Sequence, residues 1–317
     1  MRLRNRLTRA VGKLLLPAAL LFAGCGENPE GVPISMAQRT EVASVRPPEP
    51  AEAAGGASAP LRVAIASILS PSRTLDDYHD LLTYMGQRLG RPIRLYQRGT
   101  YAEVNDLLKN REIDLAFVCA GAFVYGERDF GLEALVVPVM RRKTTYYSYL
   151  IVGRASPAER LEDLRRKSFA FSDPLSNTAR LVPVYQLRLL GETPEQFFSR
   201  TVFTYSHDNS ILAVAEGLVD GAAVDSLVYD YLAARNPDAV AGTRIVARWG
   251  PYGIPPIVVH PALDPAVKRA LKRFLLSIHE DPEGRRILGR LLIDRFAEAP
   301  RGMFDSIRRM IARVERR

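Results

Sequence analysis

Three short polar segments follow strand-like runs, and one of them has the residue types of an anion-binding turn. Residues 171–181 end a strand, turn at Asp-Pro, and place Ser176, Asn177 and Thr178 where the next helix begins. The first N–H groups of a helix have no partner within it, and neighbouring hydroxyl and amide groups add further donors. Each hydrogen bond to a charged group is worth about 1.5–3 kcal/mol. The segment predicts an oxyanion-binding turn, with simple helix capping by Ser176 as the alternative.

The other two segments are further strand-to-helix junctions. One is Ser206-His207-Asp208-Asn209-Ser210, and the other, residues 219–226, includes Asp220 and Asp225. Capping by Ser206 or Asp208, with His207 on the surface, is the alternative for the first of them. Three polar junctions in one half of the chain exceed what capping requires, which favours a shared site.

Other chemistries fit these residues less well. Ser176, His207 and Asp225 are the residue types of a nucleophilic triad, but no Gly-x-Ser-x-Gly elbow surrounds the serine. The four histidines are scattered without metal-ligand spacing, and the sequence has no glycine-rich phosphate loop. We therefore expect no catalytic residues, no metal and no cofactor.

The chain from residue 61 onward alternates β-rich runs with amphipathic stretches, which predicts an α/β fold with largely parallel sheets. The predicted strands are 61–66, 93–96, 113–118, 135–139, 146–152, 168–171, 201–204, 221–224, 244–246 and 256–259. The predicted helices are 75–89, 102–109, 161–166, 180–190, 210–216, 226–235, 265–279 and 284–292. Two helix-free stretches near 146–152 and 244–259 predict crossings between two lobes. We assign 61–148 plus 253–317 to lobe 1 and 149–252 to lobe 2.

The first 24 residues predict export and membrane attachment. A basic segment over 1–13 precedes a ten-residue apolar stretch, which is too short to span a bilayer and indicates a signal peptide. The small residues immediately before Cys25 resemble the lipobox of bacterial lipoproteins, which implies that Cys25 is lipidated; a secretory signal with a chance cysteine is the alternative. Gly26, where an inner-membrane retention signal would place Asp, favours the outer membrane. The protein is then extracytoplasmic, held on a membrane by acyl chains such as palmitate.

Composition sets further limits on the fold and partners. The 317 residues are 47% hydrophobic and 25% charged, which suits two lobes and excludes wholesale disorder. Residues 26–60 are rich in Pro, Ala, Glu and Gly and predict a flexible tether. We expect Cys119 to be a buried small hydrophobic residue. Five of the nine net positive charges lie in residues 1–24, so the remainder does not predict a nucleic-acid-binding face.

From about residue 61 to 310 the chain resembles the phosphonate/phosphite/phosphate-binding proteins that serve ABC importers. The resemblance is carried by short motifs in matching order: Gly99-Thr100-Tyr101-Ala102; Glu112-Ile113-Asp114-Leu115-Ala116-Phe117 with Tyr125; Tyr146-Tyr147-Ser148-Tyr149-Leu150-Ile151-Val152; Asp173-Pro174-Leu175-Ser176-Asn177-Thr178-Ala179; Ser206-His207-Asp208; Val219-Asp220-Gly221-Ala222-Ala223-Val224-Asp225; and Arg295-Phe296.

The resemblance implies a two-lobed Venus-flytrap fold, the type II periplasmic-binding-protein fold, with mixed, mostly parallel sheets and a ligand cleft between the lobes. It implies that Ser176, Asn177 and Thr178 form the core of an oxyanion site. His207, Tyr101 and Tyr146 would surround that core, and Asp225 is a weaker candidate. Strand alternation directs Tyr146 and Ser148 to one face and Tyr147 and Tyr149 to the other, so only one pair should reach the cleft.

Two residues depart from the family pattern. Asn177 stands where the family usually has Thr, and Ala179 where it usually has Gly.

In members that bind aminoalkyl phosphonates, an acid near the second crossing holds the ammonium group, whereas residues 252–257 here contain none. Because a buried unpaired ammonium is unfavourable, we expect a small oxyanion or a simple alkyl phosphonate.

The implied partners are a small phosphorus oxyanion, the membrane and an ABC permease, with the protein itself a monomer. The alternative is a sensory receptor of the same shape that signals to a membrane sensor kinase. The binding cleft would be the same in both cases, so the sequence leaves this choice open.

Overall fold

The computed structural model describes residues 59–316, apart from the side chains of residues 71–73. The predicted signal peptide, Cys25 and residues 26–58 of the predicted tether lie outside the described residues. Among the helices described, none is long and apolar enough to cross a membrane.

Six strands form the first sheet, in the spatial order β11-β4-β10-β3-β1-β2. They are β1 (Leu61–Ile65), β2 (Ile93–Tyr96), β3 (Leu115–Phe117), β4 (Glu133–Val139), β10 (Ile257–Val259) and β11 (Arg295–Ala297). Along β1, Leu61, Val63 and Ile65 pack into one core cluster and Ala64 into another, as the two-residue period of a strand requires. The sheet is therefore buried on both faces, which explains its continuous apolar strands.

Five strands form the second sheet, in the spatial order β7-β6-β8-β5-β9. They are β5 (Thr145–Gly153), β6 (Ser168–Phe171), β7 (Arg200–Phe203), β8 (Gly221–Asp225) and β9 (Thr243–Gly253). This sheet is also buried on both faces, because Tyr149 and Ile151 pack on one side and Leu150 and Val152 on the other. We call the parts built on the two sheets the first and second lobes.

The crossings between the sheets lie close to the predicted boundaries. The chain leaves the first sheet after Val139 and returns to it at Ile257. Strands β5 and β9 pair antiparallel from the Thr145–Gly253 pair onward, so residues 145–148, which we assigned to lobe 1, belong to the second sheet. This long pairing joins the two crossings and explains why β9 extends well beyond the predicted 244–246.

Both sheets are mixed, as predicted, although parallel pairing is less dominant than strand–helix alternation suggested. Four of the nine strand pairings in the described region are parallel. Every antiparallel pairing includes β4, β5 or β10, which are strands that flank the two crossings between the sheets.

Helices fill most of the intervals between strands. They are α1 (Pro71–Leu89), α2 (Tyr101–Lys109), α3 (Ala120–Phe130), α4 (Val182–Leu189), α5 (Pro194–Phe197), α6 (His207–Ala215), α7 (Ser226–Arg235), α8 (Asp238–Ala241), α9 (Pro265–Ser277), α10 (Pro282–Arg290) and α11 (Asp305–Glu315). The predicted helix 161–166 is a 3₁₀ turn over Leu161–Leu164, and the predicted helix 180–190 begins as a π-helix over Asn177–Leu181.

Four helices were not predicted: the four-residue α5 and α8, and the longer α3 and α11. Helix α3 begins with buried Ala120, Gly121 and Ala122, which provide no row of large apolar side chains to mark a helix. Helix α11 does carry such a row, because Ile307, Met310 and Ile311 are buried at helical spacing. Its apolar side chains pack in the same core cluster as Tyr101 and Tyr146.

Candidate anion-binding site

The turn after β6 is buried and is capped by its own serine. Ser176, Asn177 and Thr178 are all 0% exposed. Ser176 is the N-cap of the π-helix, and its hydroxyl accepts a hydrogen bond of 3.1 Å from the Ala179 N–H. The capping interpretation therefore holds for the Ser176 side chain, whereas the next two residues have different partners.

Strand β5 supports this turn from the second sheet. Asn177 Nδ2 donates to Tyr146 Oη at 2.9 Å, and Ser148 Oγ donates to the Thr178 carbonyl at 2.6 Å. On the other face of β5, Tyr149 packs edge-on against Tyr229, with ring centroids 5.9 Å apart. Tyr146 and Ser148 are thus the pair that reaches the turn.

The first lobe contributes the starts of two helices. Tyr101 is the first residue of α2, which Thr100 and Glu103 begin with a capping box. The Tyr101 N–H donates to Asp173 Oδ2 of the second lobe at 3.0 Å. At the start of α3, Cys119 Sγ accepts from the Asn177 N–H at 3.5 Å. Cys119 is buried, as predicted, and it forms part of the wall against which the turn packs.

The hydrogen bonds of His207 determine where its ring proton lies. Its Nδ1 accepts a 3.2 Å hydrogen bond from the Asp225 backbone N–H, so the neutral ring carries its proton on Nε2. Burial lowers the pKa of His207 to about 4, which keeps the ring neutral near pH 7. His207 is therefore a neutral donor through Nε2–H.

Asp225, the weaker candidate of the predicted site, has partners within the protein. Its carboxylate caps α7, where Oδ1 accepts from the Leu227 N–H at 2.7 Å. The connectivity of a catalytic triad is not formed, because His207 Nδ1 bonds the backbone of Asp225 and not its carboxylate. Within the described residues, Asp225 positions His207 and adds a carboxyl group beside the site.

Four side-chain atoms of the predicted site are buried without a hydrogen-bond partner in the protein. They are Tyr101 Oη, Asn177 Oδ1, Thr178 Oγ1 and His207 Nε2, out of seven such atoms in the described region. The neighbouring Ser172 Oγ is a fifth. Leaving a buried polar group unpaired costs about 1–3 kcal/mol, so proteins rarely contain several together. Their concentration here indicates that the site is built for a partner from outside the chain.

The Asn177 amide can offer either end to that partner. As it stands, Nδ2 donates to Tyr146 and Oδ1 is unpaired; a half-turn of the amide exchanges the two atoms. An anion favours the turned state, in which Nδ2 faces the anion and Oδ1 accepts the Tyr146 proton. Burial raises the pKa of both Tyr101 and Tyr146 well above 10, so both hydroxyls keep their protons.

Six of the seven predicted ligand-binding residues thus line one buried polar cluster: Tyr101, Tyr146, Ser176, Asn177, Thr178 and His207. Asp225 adjoins the cluster through His207. Four residues that form or support it were not among the predicted site residues, namely Cys119, Gly121, Ser172 and Asp173; Ser148 belonged to one of the two pairs expected to reach the cleft. Ser172 and Asp173 lie in the same polar segment, so proximity to Ser176 could have indicated them; the start of α3 carries no comparable local signal.

The phosphonate periplasmic substrate-binding protein model of ABC transporters matches residues 63–302. The phosphonates-binding periplasmic protein of Escherichia coli K12 is 27% identical over 238 residues, covering 73% of this chain and 70% of that protein.

Two solved structures share the fold. One is a binding-protein component of an ABC phosphonate transporter from Pseudomonas aeruginosa, with a TM-score of 0.77, 22% identity, and coverage of 82% of this chain and 88% of that chain. The other, from Prochlorococcus marinus, was solved with methylphosphonate, with a TM-score of 0.71, 17% identity, and coverage of 81% and 98%. The predicted type II periplasmic-binding-protein fold is confirmed. The chain belongs to the phosphonate family of periplasmic substrate-binding proteins of ABC transporters.

Proposed function

We propose that this protein captures a phosphonate, or the related anion phosphite or phosphate, outside the cytoplasm and delivers it to an ABC permease. The observation that carries the proposal is the group of buried, unpartnered polar atoms on Tyr101, Asn177, Thr178 and His207. Hydroxyl, amide and imidazole donors suit the oxygens of a phosphonyl group. These donors come from both lobes, so the anion gains all its contacts only when the lobes are closed.

We further propose that Cys25 carries the acyl chains that hold the protein on the outer face of a membrane, and that the protein acts as a monomer. The sequence pattern before Cys25 supports the lipid anchor, as does a family described as periplasmic. Metabolic labelling with a palmitate analogue tests the anchor. Label should enter the wild-type protein and be absent from Cys25→Ser, while labelling of both would contradict the assignment.

Ligand identity is tested by calorimetric titration with phosphate, phosphite, methylphosphonate, 2-aminoethylphosphonate and sulfate. We expect micromolar or tighter binding of at least one phosphorus anion and no binding of sulfate. Absence of binding to every phosphorus anion in the panel would refute the proposed function.

Asp173 should hold the lobes closed even without ligand. Its carboxylate accepts from the Tyr101 N–H of the first lobe and, at 2.7 Å, from the Leu175 N–H of its own lobe. Asparagine cannot accept both bonds with equal strength. A charge-assisted hydrogen bond is worth about 1.5–3 kcal/mol, so Asp173→Asn should raise the open-to-closed ratio roughly 10- to 100-fold. Small-angle scattering of the ligand-free variant should show a larger radius of gyration.

Asp220→Asn is the matched control for this measurement. The Asp220 carboxylate also accepts two hydrogen bonds, from the backbone N–H and hydroxyl of Ser168, but both partners lie in the same lobe. The radius of gyration of the ligand-free Asp220→Asn variant should equal that of the wild type. Equal values for Asp173→Asn and the wild type would show that this bond does not set closure.

Asp225 should make stability depend on pH. Burial raises the pKa of its carboxyl to about 7, above the ordinary 3.8. A raised acid pKa means that this group's contribution is fully present below pH 4 and is lost as the pH rises to 7. The loss amounts to about 4 kcal/mol at most. Asp225→Asn keeps an acceptor for Leu227 without the charge, so its stability advantage should grow between pH 4 and pH 8.

Denaturant unfolding at pH 4, 6 and 8 measures this difference. Asp264→Asn is the control, because Asp264 caps α9 in the same way, accepting from Ala266 and Val267, but is exposed. A difference between Asp225→Asn and wild type that stays constant with pH would contradict the prediction.

A further inference from the structure

A cavity of about 110 Å³ lies between the two lobes. The first lobe contributes Ala66, Ile68 and Val118 to its wall, and the second contributes Leu227 and Val228. Its lining is predominantly apolar and contains no lysine, arginine or histidine among the described residues. A cavity of this character favours an apolar occupant.

The cavity adjoins the anion site at three points. The Ile68 carbonyl accepts a 3.2 Å hydrogen bond from the His207 N–H. Val118 directly precedes Cys119, whose sulfur contacts Asn177. Asp225 belongs to the cavity wall, and its N–H holds the His207 ring. These contacts place the cavity wall directly beside His207 and the anion-binding turn.

Two carboxyl groups line the cavity, Asp77 and Asp225, although residues 252–257 contain no acid. Both already have partners in the protein. Asp77 Oδ1 accepts from Tyr231 Oη at 2.6 Å, and Asp225 caps α7 through Leu227 N–H. Because burial disfavours the charged form of Asp225, the cavity is a poor site for a free ammonium group.

We propose that this cavity receives an apolar substituent, and that the ligand is an alkyl phosphonate longer than methyl. The inference rests on the proposed function. An apolar cavity of about 150 Å³ admits benzene, so this one should admit a chain of about four carbons. The phosphonyl group would lie against Thr178 and His207, with its alkyl chain between Ile68 and Leu227.

The test is a titration series of methyl-, ethyl-, n-propyl- and n-butylphosphonate with the full-length protein. Each added methylene should strengthen binding about fourfold, so butyl, with three more methylenes, should bind roughly sixtyfold more tightly than methyl. 3-Aminopropylphosphonate matches the butyl compound in length but carries an ammonium group. It should bind at least about tenfold more weakly than the butyl compound. Tighter binding of the aminoalkyl compound, or equal affinity along the alkyl series, would overturn the proposal.

Variants at Leu227 test the location of the chain. Leu227→Phe should reduce the butyl-to-methyl affinity ratio at least about fivefold, and Leu227→Ala should move the preferred chain length upward. Leu189→Phe makes the same substitution at a position that is 58% exposed on α4, and should leave the ratio unchanged. Circular dichroism melts verify that each variant is folded. A ratio that is the same in all folded variants would refute this location.

The two proposals fail in distinguishable ways. If no phosphorus anion binds, the proposed function and this inference both fail. If methylphosphonate or phosphate binds but longer chains do not bind better, the function stands and the apolar substituent is refuted.

Discussion

The double variant Tyr101→Phe/Thr178→Val is expected to lose anion affinity by a factor on the order of 10³ without losing stability. Tyr101 Oη and Thr178 Oγ1 are buried and have no partner in the protein, so removing them breaks no internal hydrogen bond. Two hydrogen bonds to an anion, at about 1.5–3 kcal/mol each, account for the affinity loss. Because buried unpaired groups are unfavourable, the free energy of unfolding should stay constant or rise.

The matched control makes the same two chemical changes where the hydroxyls are paired. Tyr229 Oη and Thr243 Oγ1 are 3.0 Å apart, and Thr243 also donates to the Val240 carbonyl. Tyr229→Phe/Thr243→Val should therefore lower the free energy of unfolding by about 1–3 kcal/mol and leave affinity unchanged. Calorimetric titration and urea unfolding of both variants give the comparison. Undiminished affinity in Tyr101→Phe/Thr178→Val would disprove the site assignment.

Gly121→Ala is expected to displace the anion-binding turn and to weaken binding at least about tenfold. A Cβ at Gly121 would clash with the Leu175 carbonyl oxygen and would lie 2.8 Å from the Asn177 backbone nitrogen. Both contacts are with backbone, which cannot rotate away as a flexible side chain could. We expect a loss of about 1–3 kcal/mol in the free energy of unfolding, because α3 and the turn must separate.

Gly289→Ala provides the comparison for this substitution. It also lies within a helix, α10, but its added Cβ would meet nothing within 4 Å. Alanine has the higher helix propensity, so this variant should be as stable as the wild type or up to about 1 kcal/mol more stable. Urea unfolding and phosphonate titration of Gly121→Ala and Gly289→Ala compare the free energy of unfolding and the affinity of the two variants. Wild-type affinity and stability in Gly121→Ala would show that this close approach is unimportant.

The local character of the site could be predicted because it depends on neighbouring residues along the chain. Polar residues after a strand end mark a helix start, and the structure places a helical start at Asn177, His207 and Ser226. Ser176 and Ser206 are caps for the same short-range reason. These features need only the backbone of the next turn, so the sequence pattern suffices to indicate them.

Only the tertiary structure decided which polar atoms remain without a partner. The turn that carries the unpaired Asn177 Oδ1 and Thr178 Oγ1 packs against Cys119, Gly121 and Tyr146. Its hydrogen-bonded partners are distant in the chain: Tyr146 is 31 positions and Cys119 is 58 positions from Asn177. The tertiary structure also pairs the Asp225 N–H with His207 Nδ1, 18 positions away in the chain. The sequence by itself determined the α/β alternation and the polar helix starts, because both arise from short-range backbone preferences. Burial, and with it the donors left for a ligand, arises from contacts between distant segments.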